Sequence, residues 1–166
     1  MNKKQLLEQE IVATREQFLA LLNSIPESDY NLPTDNPAWS VGDMLYHITL
    51  GPQALTLEIW MIVHARRLFQ FTMRHFPSNL FNRLNARLSR RANRVSRAKL
   101  IQLYEAAHTG TISTLHKTRE EDLGKSVIYP AELEAMLAGE TSVEKLFHYV
   151  KNHLEAHRAS IRGKQK

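Results

Sequence analysis

The spacing of apolar residues constrains the fold of this chain more than any other feature of the sequence. Along most of the chain these residues recur every three or four positions, which is the period of an α-helix with one buried face. No segment of any length alternates apolar and polar residues in the manner of a half-buried β-strand. The pattern therefore predicts an all-α protein, and we expect residues 1–166 to form one domain with a single sizeable core.

Four long segments carry this helical period and predict a bundle of four main helices, with short helices between them. The four segments cover residues 3–23, the stretch from residue 40 to the break at HFPSN (75–79), and residues 96–117 and 141–161. A short extra helix is expected at residues 131–137, closed by Gly139, because glycine is common just after the last helical residue.

Two helix starts are marked by capping residues. Ser40 and Asp43, three residues apart, can form a capping box in which each side chain satisfies a free backbone N–H. Thr141 and Glu144 have the same spacing and predict the start of the last helix. The Gly-Pro pair at positions 51–52 interrupts the second segment, and we expect a kink there and not an end, because proline has no backbone N–H to donate.

The chain contains no cysteine. Disulfides, thiolate nucleophiles and cysteine-bound zinc or iron–sulfur sites are therefore excluded, so that any protein-bound metal must rest on histidine and carboxylate ligands. The sequence shows neither the pattern of a secretory signal nor a run of about 20 apolar residues that could span a membrane. These features predict a cytoplasmic protein.

Positive charge is concentrated in one stretch of the chain. Ten of the 22 Lys and Arg residues, and none of the 17 Asp and Glu residues, lie between Ile59 and Tyr104. This basic region, residues 66–99, is open to three interpretations: a solvated face, a surface for an anionic partner such as nucleic acid or a membrane, or a holder of an anionic substrate. No recognisable nucleic-acid-binding motif accompanies it. The residues predicted to bind an anion are Arg83, Arg87, Arg90 and Arg94.

Three of the eight histidines lie within ten residues near the C-terminus. His153 and His157 are four residues apart, so that both imidazoles project from one side of a helix and can reach one ion. His148 lies about 140° away from His153 around the helix axis and is expected to face elsewhere. A catalytic metal site usually takes three protein ligands, and the best third candidate is His47, one turn after Asp43. The alternative is a chance pair of solvated or core-packed histidines.

Two stretches together resemble the DinB/YfiT-like superfamily of metalloenzymes. They are WSVGDMLYHI at 39–48 and SVEKLFHYVKNHLEAHRASI at 142–161. The resemblance implies that His47, His153 and His157 hold one divalent metal. Asp43, by its position one turn before His47, is expected to cap the helix and is a candidate to orient His47. It also implies a four-helix bundle with a long crossover connection, a homodimer, and in some members the transfer of a thiol such as bacillithiol or mycothiol. Zinc or nickel is the expected metal.

Two functional hypotheses follow. The first is a metal-dependent transferase or hydrolase, with a low-molecular-weight thiol as the expected small-molecule partner. The alternative is a non-enzymatic helical module whose basic region binds nucleic acid or a membrane surface. The sequence offers no convincing general base, because Glu58 lies about 16 Å along the helix from His47 and Glu155 lies on the opposite face from the histidine pair.

Overall fold

The computed structural model describes residues 2–36, 39–77 and 95–162, together with positions 80, 83 and 87. These residues form five α-helices, one short antiparallel hairpin and three 3₁₀ turns. The helices are α1 (Lys3–Ser24), α2 (Val41–His64), α3 (Arg66–His75), α4 (Arg97–Lys117) and α5 (Val143–Arg162), and the strands are β1 (Ser126–Tyr129) and β2 (Gly139–Ser142). The 3₁₀ turns cover Glu27–Asn31, Glu120–Gly124 and Ala135–Leu137. The predicted all-α class is confirmed.

The four long helices α1, α2, α4 and α5 pack together, with α1 and α2 each in contact with both α4 and α5. Their facing sides form two groups of buried apolar residues. One group contains Leu55, Ile59 and Phe147. The other contains Phe18, Leu45 and Leu154, and lies toward the start of α2. Because α2 packs against α5, side chains from these two distant segments can meet inside the protein.

The start of α2 is fixed by the predicted capping box. The backbone N–H of Asp43 donates to Ser40 Oγ over 3.1 Å, and the backbone N–H of Ser40 donates to Asp43 Oδ2 over 3.0 Å. The helix continues through Pro52 without ending, as predicted. It ends at His64, because Ala65 leaves the helical conformation, and α3 then extends to His75, where the predicted break at residues 75–79 begins.

The hairpin between α4 and α5 is the main departure from the sequence prediction. Tyr129 pairs with Gly139 at its closed end, and the strands have only four residues each, too few to display an alternating pattern. The prediction of a helix at residues 131–137 is wrong, because this stretch contains no α-helix and its only helical part is the 3₁₀ turn Ala135–Leu137. Gly139 has φ +82°, in the left-handed region that favours glycine, and starts β2 instead of closing a helix.

The predicted capping box at the start of the last helix is also wrong. Thr141 lies in β2, and its hydroxyl donates to the backbone carbonyl of Leu137 over 2.7 Å. The adjacent Ser142 takes over the capping role, since its hydroxyl accepts the backbone N–H of Lys145 over 3.1 Å. Helix α5 therefore begins at Val143, and its capping residue lies one position later than the prediction.

Candidate metal site

Three histidines from two helices converge between α2 and α5. His47 comes from α2, and His153 and His157 come from successive turns of α5. One ring nitrogen of each lies within 4.8 Å of a ring nitrogen of the others. The Nε2 atoms of His47 and His153 are 3.1 Å apart, so that one ring donates an N–H to the other. The structure thus brings together all three residues predicted as metal ligands.

The imidazoles are packed tightly against one another and against aromatic neighbours. The ring centroid of His157 lies 4.7 Å from that of His47 and 4.5 Å from that of His153. The Trp39 and His47 rings are nearly perpendicular at a centroid distance of 4.7 Å, and the Tyr149 ring lies 5.1 Å from the His153 ring. These aromatic rings form walls on two sides of the cluster, which restrict the directions in which the imidazoles can turn.

Gly51 leaves the space that His153 occupies. A Cβ atom at position 51 would lie 2.9 Å from Nδ1 and 3.0 Å from Cε1 of His153, closer than side-chain atoms ordinarily approach. His153 is only 3% exposed and has the Tyr149 ring beside it. The imidazole is therefore held between the backbone of α2 and an aromatic ring, with its Nε2 directed to His47.

Burial favours the neutral form of two of these histidines, His153 and His157. The pKa of His153 lies well below its usual value, first because of burial and then because of the neighbouring His157 and His47. Burial also lowers the pKa of His157, against which the negative charge of Glu134 acts in the opposite direction. Neutral imidazole is the form that ligates metals, so that a cation need not displace protons from these two rings at pH 7.

The donor set fits a divalent first-row metal. Two nitrogens bound tetrahedrally at about 2.0 to 2.1 Å are separated by about 3.3 Å, close to the observed 3.1 Å between His47 and His153. The third imidazole is within 4.8 Å, so that a shift of at most about 1.5 Å would complete the triad. Three imidazoles suit zinc, nickel or copper and leave a position open for another ligand.

Asp43 acts as the cap of α2. Its Oδ2 accepts from the hydroxyl of Ser40 over 2.8 Å as well as from the backbone N–H of that residue. Asp43 is one turn before His47 and is itself buried. The carboxylate thereby fixes the helix turn on which His47 stands, while a direct orienting contact to the imidazole stays a prediction.

His148 faces away from the cluster, as its angular position on α5 predicts. Its Nδ1 lies 2.8 Å from Glu10 Oε1 on α1. The third histidine of the C-terminal group thus belongs to a contact between α5 and α1, and it provides a natural control for experiments on the other two.

Sequence reasoning missed a cluster of two tyrosines and two glutamates beside the histidines. Tyr149 donates its hydroxyl to Glu134 Oε2 over 2.9 Å, and Tyr129 donates to Glu58 Oε2 over 2.7 Å. Both tyrosines are buried, and burial is the main cause that raises the pKa of each hydroxyl. Burial also raises the pKa of Glu58, which the hydrogen bond from Tyr129 opposes and the charge of Glu134 reinforces.

This cluster connects the hairpin and its loop to the histidines. Glu134 lies in the loop after β1, Tyr129 ends β1, and Glu58 lies on α2. The position of Tyr149, four residues before His153 on one helix, was the one local signal for the cluster. The other members are brought in by the hairpin, which the sequence pattern did not predict.

The basic region is only partly described. Arg83 and Arg87 are exposed, whereas Arg90 and Arg94 lie outside the described residues. The predicted anion-binding role of these four arginines stays a prediction. None of the helices in the described ranges is both long enough and apolar enough to cross a membrane.

The model of one protein family matches residues 10–161, nearly the whole chain. This chain belongs to the DinB superfamily. The expected family is therefore confirmed, and a comparison with curated proteins gives no match.

Two solved structures resemble this DinB superfamily chain. The first is a histidine-to-alanine mutant of the mycothiol-dependent maleylpyruvate isomerase, with TM-score 0.71, 8% identity, and coverage of 96% of this chain and 60% of that protein. The chain thus spans about 60% of the length of that isomerase. The second is an uncharacterised protein from Clostridium difficile 630, with TM-score 0.65, 21% identity, and coverage of 98% and 95%. At these identities the similarity shows a shared fold.

Proposed function

We propose that this chain is a divalent-metal-dependent transferase that holds zinc or nickel on His47, His153 and His157 and acts with a low-molecular-weight thiol. The observation that carries the proposal is the convergence of three imidazoles within 4.8 Å, two of them with pKa values lowered by burial. The similarity to a mycothiol-dependent isomerase supports a thiol as the ligand class. We also propose that the protein forms a homodimer and that it acts in the cytoplasm.

A divalent ion on three neutral ligands would keep its full positive charge and would supply a Lewis acid that favours the thiolate form of a thiol near pH 7. The residues of the chain prepare the surroundings. Trp39 and Tyr149 pack against the His47 and His153 rings and help to orient them. Glu134 places negative charge near His157 and holds the Tyr149 hydroxyl, so that the edge of the site toward the hairpin loop is polar.

Metal content tests the ligand assignment. Protein purified without an affinity tag is expected to contain about one divalent ion per chain by elemental analysis, and a His153→Ala, His157→Ala double variant is expected to contain almost none. His148→Ala is the matched control, because His148 lies on the same helix but contacts Glu10. Equal metal in the wild type and the double variant would refute the assignment.

Thiol binding is tested separately, so that a metal site without a thiol site is recognised. The protein is loaded with cobalt(II), and glutathione, cysteine and a glucosamine-based thiol are added in turn. Binding of a thiol at the cobalt is expected to give a sulfur-to-cobalt charge-transfer band that the double variant lacks. A cobalt-loaded protein whose spectrum is unchanged by millimolar amounts of every thiol would leave the metal site standing and reject the thiol proposal.

A further inference from the structure

Helix α3 carries apolar residues on two opposite sides. On one side Phe69 is buried and Met73 packs against the core. On the other side Leu68 and Phe71 are each 61% exposed, although they are large apolar residues of a ten-residue helix. The burial of Phe69 and Met73 accounts for the attachment of α3 to the protein, but it does not account for Leu68 and Phe71.

The same outer side carries positive charge. At about 100° per residue, Arg67, Leu68, Phe71 and Arg74 share a sector of about 120° of the helix surface. Both arginines are exposed, and neither takes part in any of the ion pairs found among the described residues. Two apolar side chains and two guanidinium groups thus form one surface, which we call the α3 face. Glu140 of β2 lines the same groove as Arg67 and Arg74, but it takes part in none of the ion pairs found among the described residues.

The α3 face is held outward by contacts to the hairpin. The Gln70 side chain accepts the backbone N–H of Ile128 over 2.7 Å and donates to the carbonyl of Ile128 over 3.0 Å. These two bonds attach α3 to the free side of β1, and buried Phe69 fixes the rotation of the helix. Leu68 and Phe71 therefore cannot turn into the core without breaking both bonds.

We propose that the α3 face binds to the surface of an anionic lipid membrane. In this arrangement Leu68 and Phe71 enter the boundary between headgroups and acyl chains, while Arg67 and Arg74 meet lipid phosphates. The charge of the surrounding sequence supports this partner, because residues 60–103 contain ten Lys and Arg and no Asp or Glu.

Other kinds of partner account less well for the combination of apolar and basic side chains on the α3 face. A symmetric contact with a second copy would bring the arginine-rich surfaces of both copies together, at a cost in repulsion. Nucleic acid would account for the arginines but would gain little from exposed Leu68, and Phe71 already packs on His75 at a centroid distance of 4.3 Å. Of these three partners, the lipid surface is the one that uses both kinds of side chain without bringing like charges together.

The α3 face is separate from the candidate metal site. His47 and His64 stand 17 residues apart on α2, a distance of about 25 Å along the helix, and α3 begins just after His64. Loss of metal and loss of lipid binding should therefore be independent of each other.

Co-sedimentation of the full chain with vesicles tests the proposal. We expect binding to vesicles of phosphatidylcholine with phosphatidylglycerol, weaker binding at high salt, and little binding to phosphatidylcholine alone. An Arg67→Gln, Arg74→Gln variant should bind about thirty-fold more weakly, from about one factor of five per arginine. A Leu68→Ser, Phe71→Ser variant should lose at least as much, because the apolar contact is removed.

A matched control is Leu32→Ser, since Leu32 is also exposed but lies before α2, at the opposite end of that helix. It should bind vesicles like the wild type, and circular dichroism should show the same helix content in all variants. The proposal is overturned if the wild type does not bind anionic vesicles, or if either double variant binds them as tightly as the wild type. It is also overturned if duplex DNA fully displaces the vesicles and the Leu68→Ser, Phe71→Ser variant still binds DNA normally, because DNA would then be the partner.

Discussion

Gly51→Ala should weaken metal binding, because the added Cβ displaces a predicted metal ligand. The added Cβ would lie 2.9 Å from His153 Nδ1, whereas ordinary contacts begin at 3.4 Å, so that the imidazole must shift by about half an ångström or more. The ring has little room to retreat, because it is 3% exposed and the Tyr149 ring lies beside it. The required movement falls on a predicted metal ligand.

Two opposing terms set the stability change. Alanine is favoured over glycine within a helix by about 1 kcal/mol, an advantage that is reduced at position 51 because a proline follows. Overpacking a filled site costs about 1 to 3 kcal/mol. The net loss of stability should therefore be no more than about 3 kcal/mol. Disturbing the support of a metal ligand typically lowers metal affinity about 10- to 100-fold, and we expect a loss in this range.

The assay is a competition titration of zinc against a chromophoric chelator, with thermal unfolding of the metal-free protein measured in parallel. Gly110→Ala on α4 is the matched control, because its Cβ would meet Thr56 Cγ2 at 3.6 Å, an ordinary contact distance. That variant should gain about 1 kcal/mol in stability and keep its zinc affinity. If Gly51→Ala binds zinc as tightly as the wild type, His153 is either not a ligand or not held in place by the backbone of α2.

Three further predictions concern stability. A chelator should lower the Tm of the metal-loaded wild type, because metal binds the folded chain. The Tm of the His47→Ala variant should be nearly unaffected. An equal drop in Tm for both proteins would show that His47 is not a ligand. Glu58→Gln should raise the Tm at pH 7, because burial raises the pKa of Glu58 and penalises its charged form. The gain in Tm should vanish toward pH of about 4, where the carboxyl is protonated in both the folded and the unfolded states. A gain that does not depend on pH would contradict this cause. Hydrogen bonds from Arg119 and Lys125 lower the pKa of Asp122 to about 2, so that its stabilising effect is present above about pH 4 and is lost as the pH falls toward about 2. Asp122→Asn should therefore have a lower urea midpoint than the wild type at pH 7 and approach it in acid; constant separation of the two midpoints would refute the ion-pair explanation.

Local patterns were sufficient for the features that depend on neighbours along the chain. Helical periodicity and the Ser40 capping box predicted α2 because its hydrogen bonds connect residues three and four apart. The pairing of His153 with His157 followed from the same geometry. Thr141 shows the limit of such reasoning, because its hydroxyl contacts Leu137 in the folded hairpin and is not available to cap α5.

The amino-acid sequence by itself determined where the long helices form and which residues on each could ligate a metal. Only the tertiary structure decided that His47 meets His153 across 106 residues, since that contact depends on the packing of α2 against α5. It also decided the position of Glu134, which reaches the histidines through a hairpin whose strands are too short to be recognised by periodicity. Contacts between distant segments depend on how whole faces of helices fit together, and no local spacing records that fit.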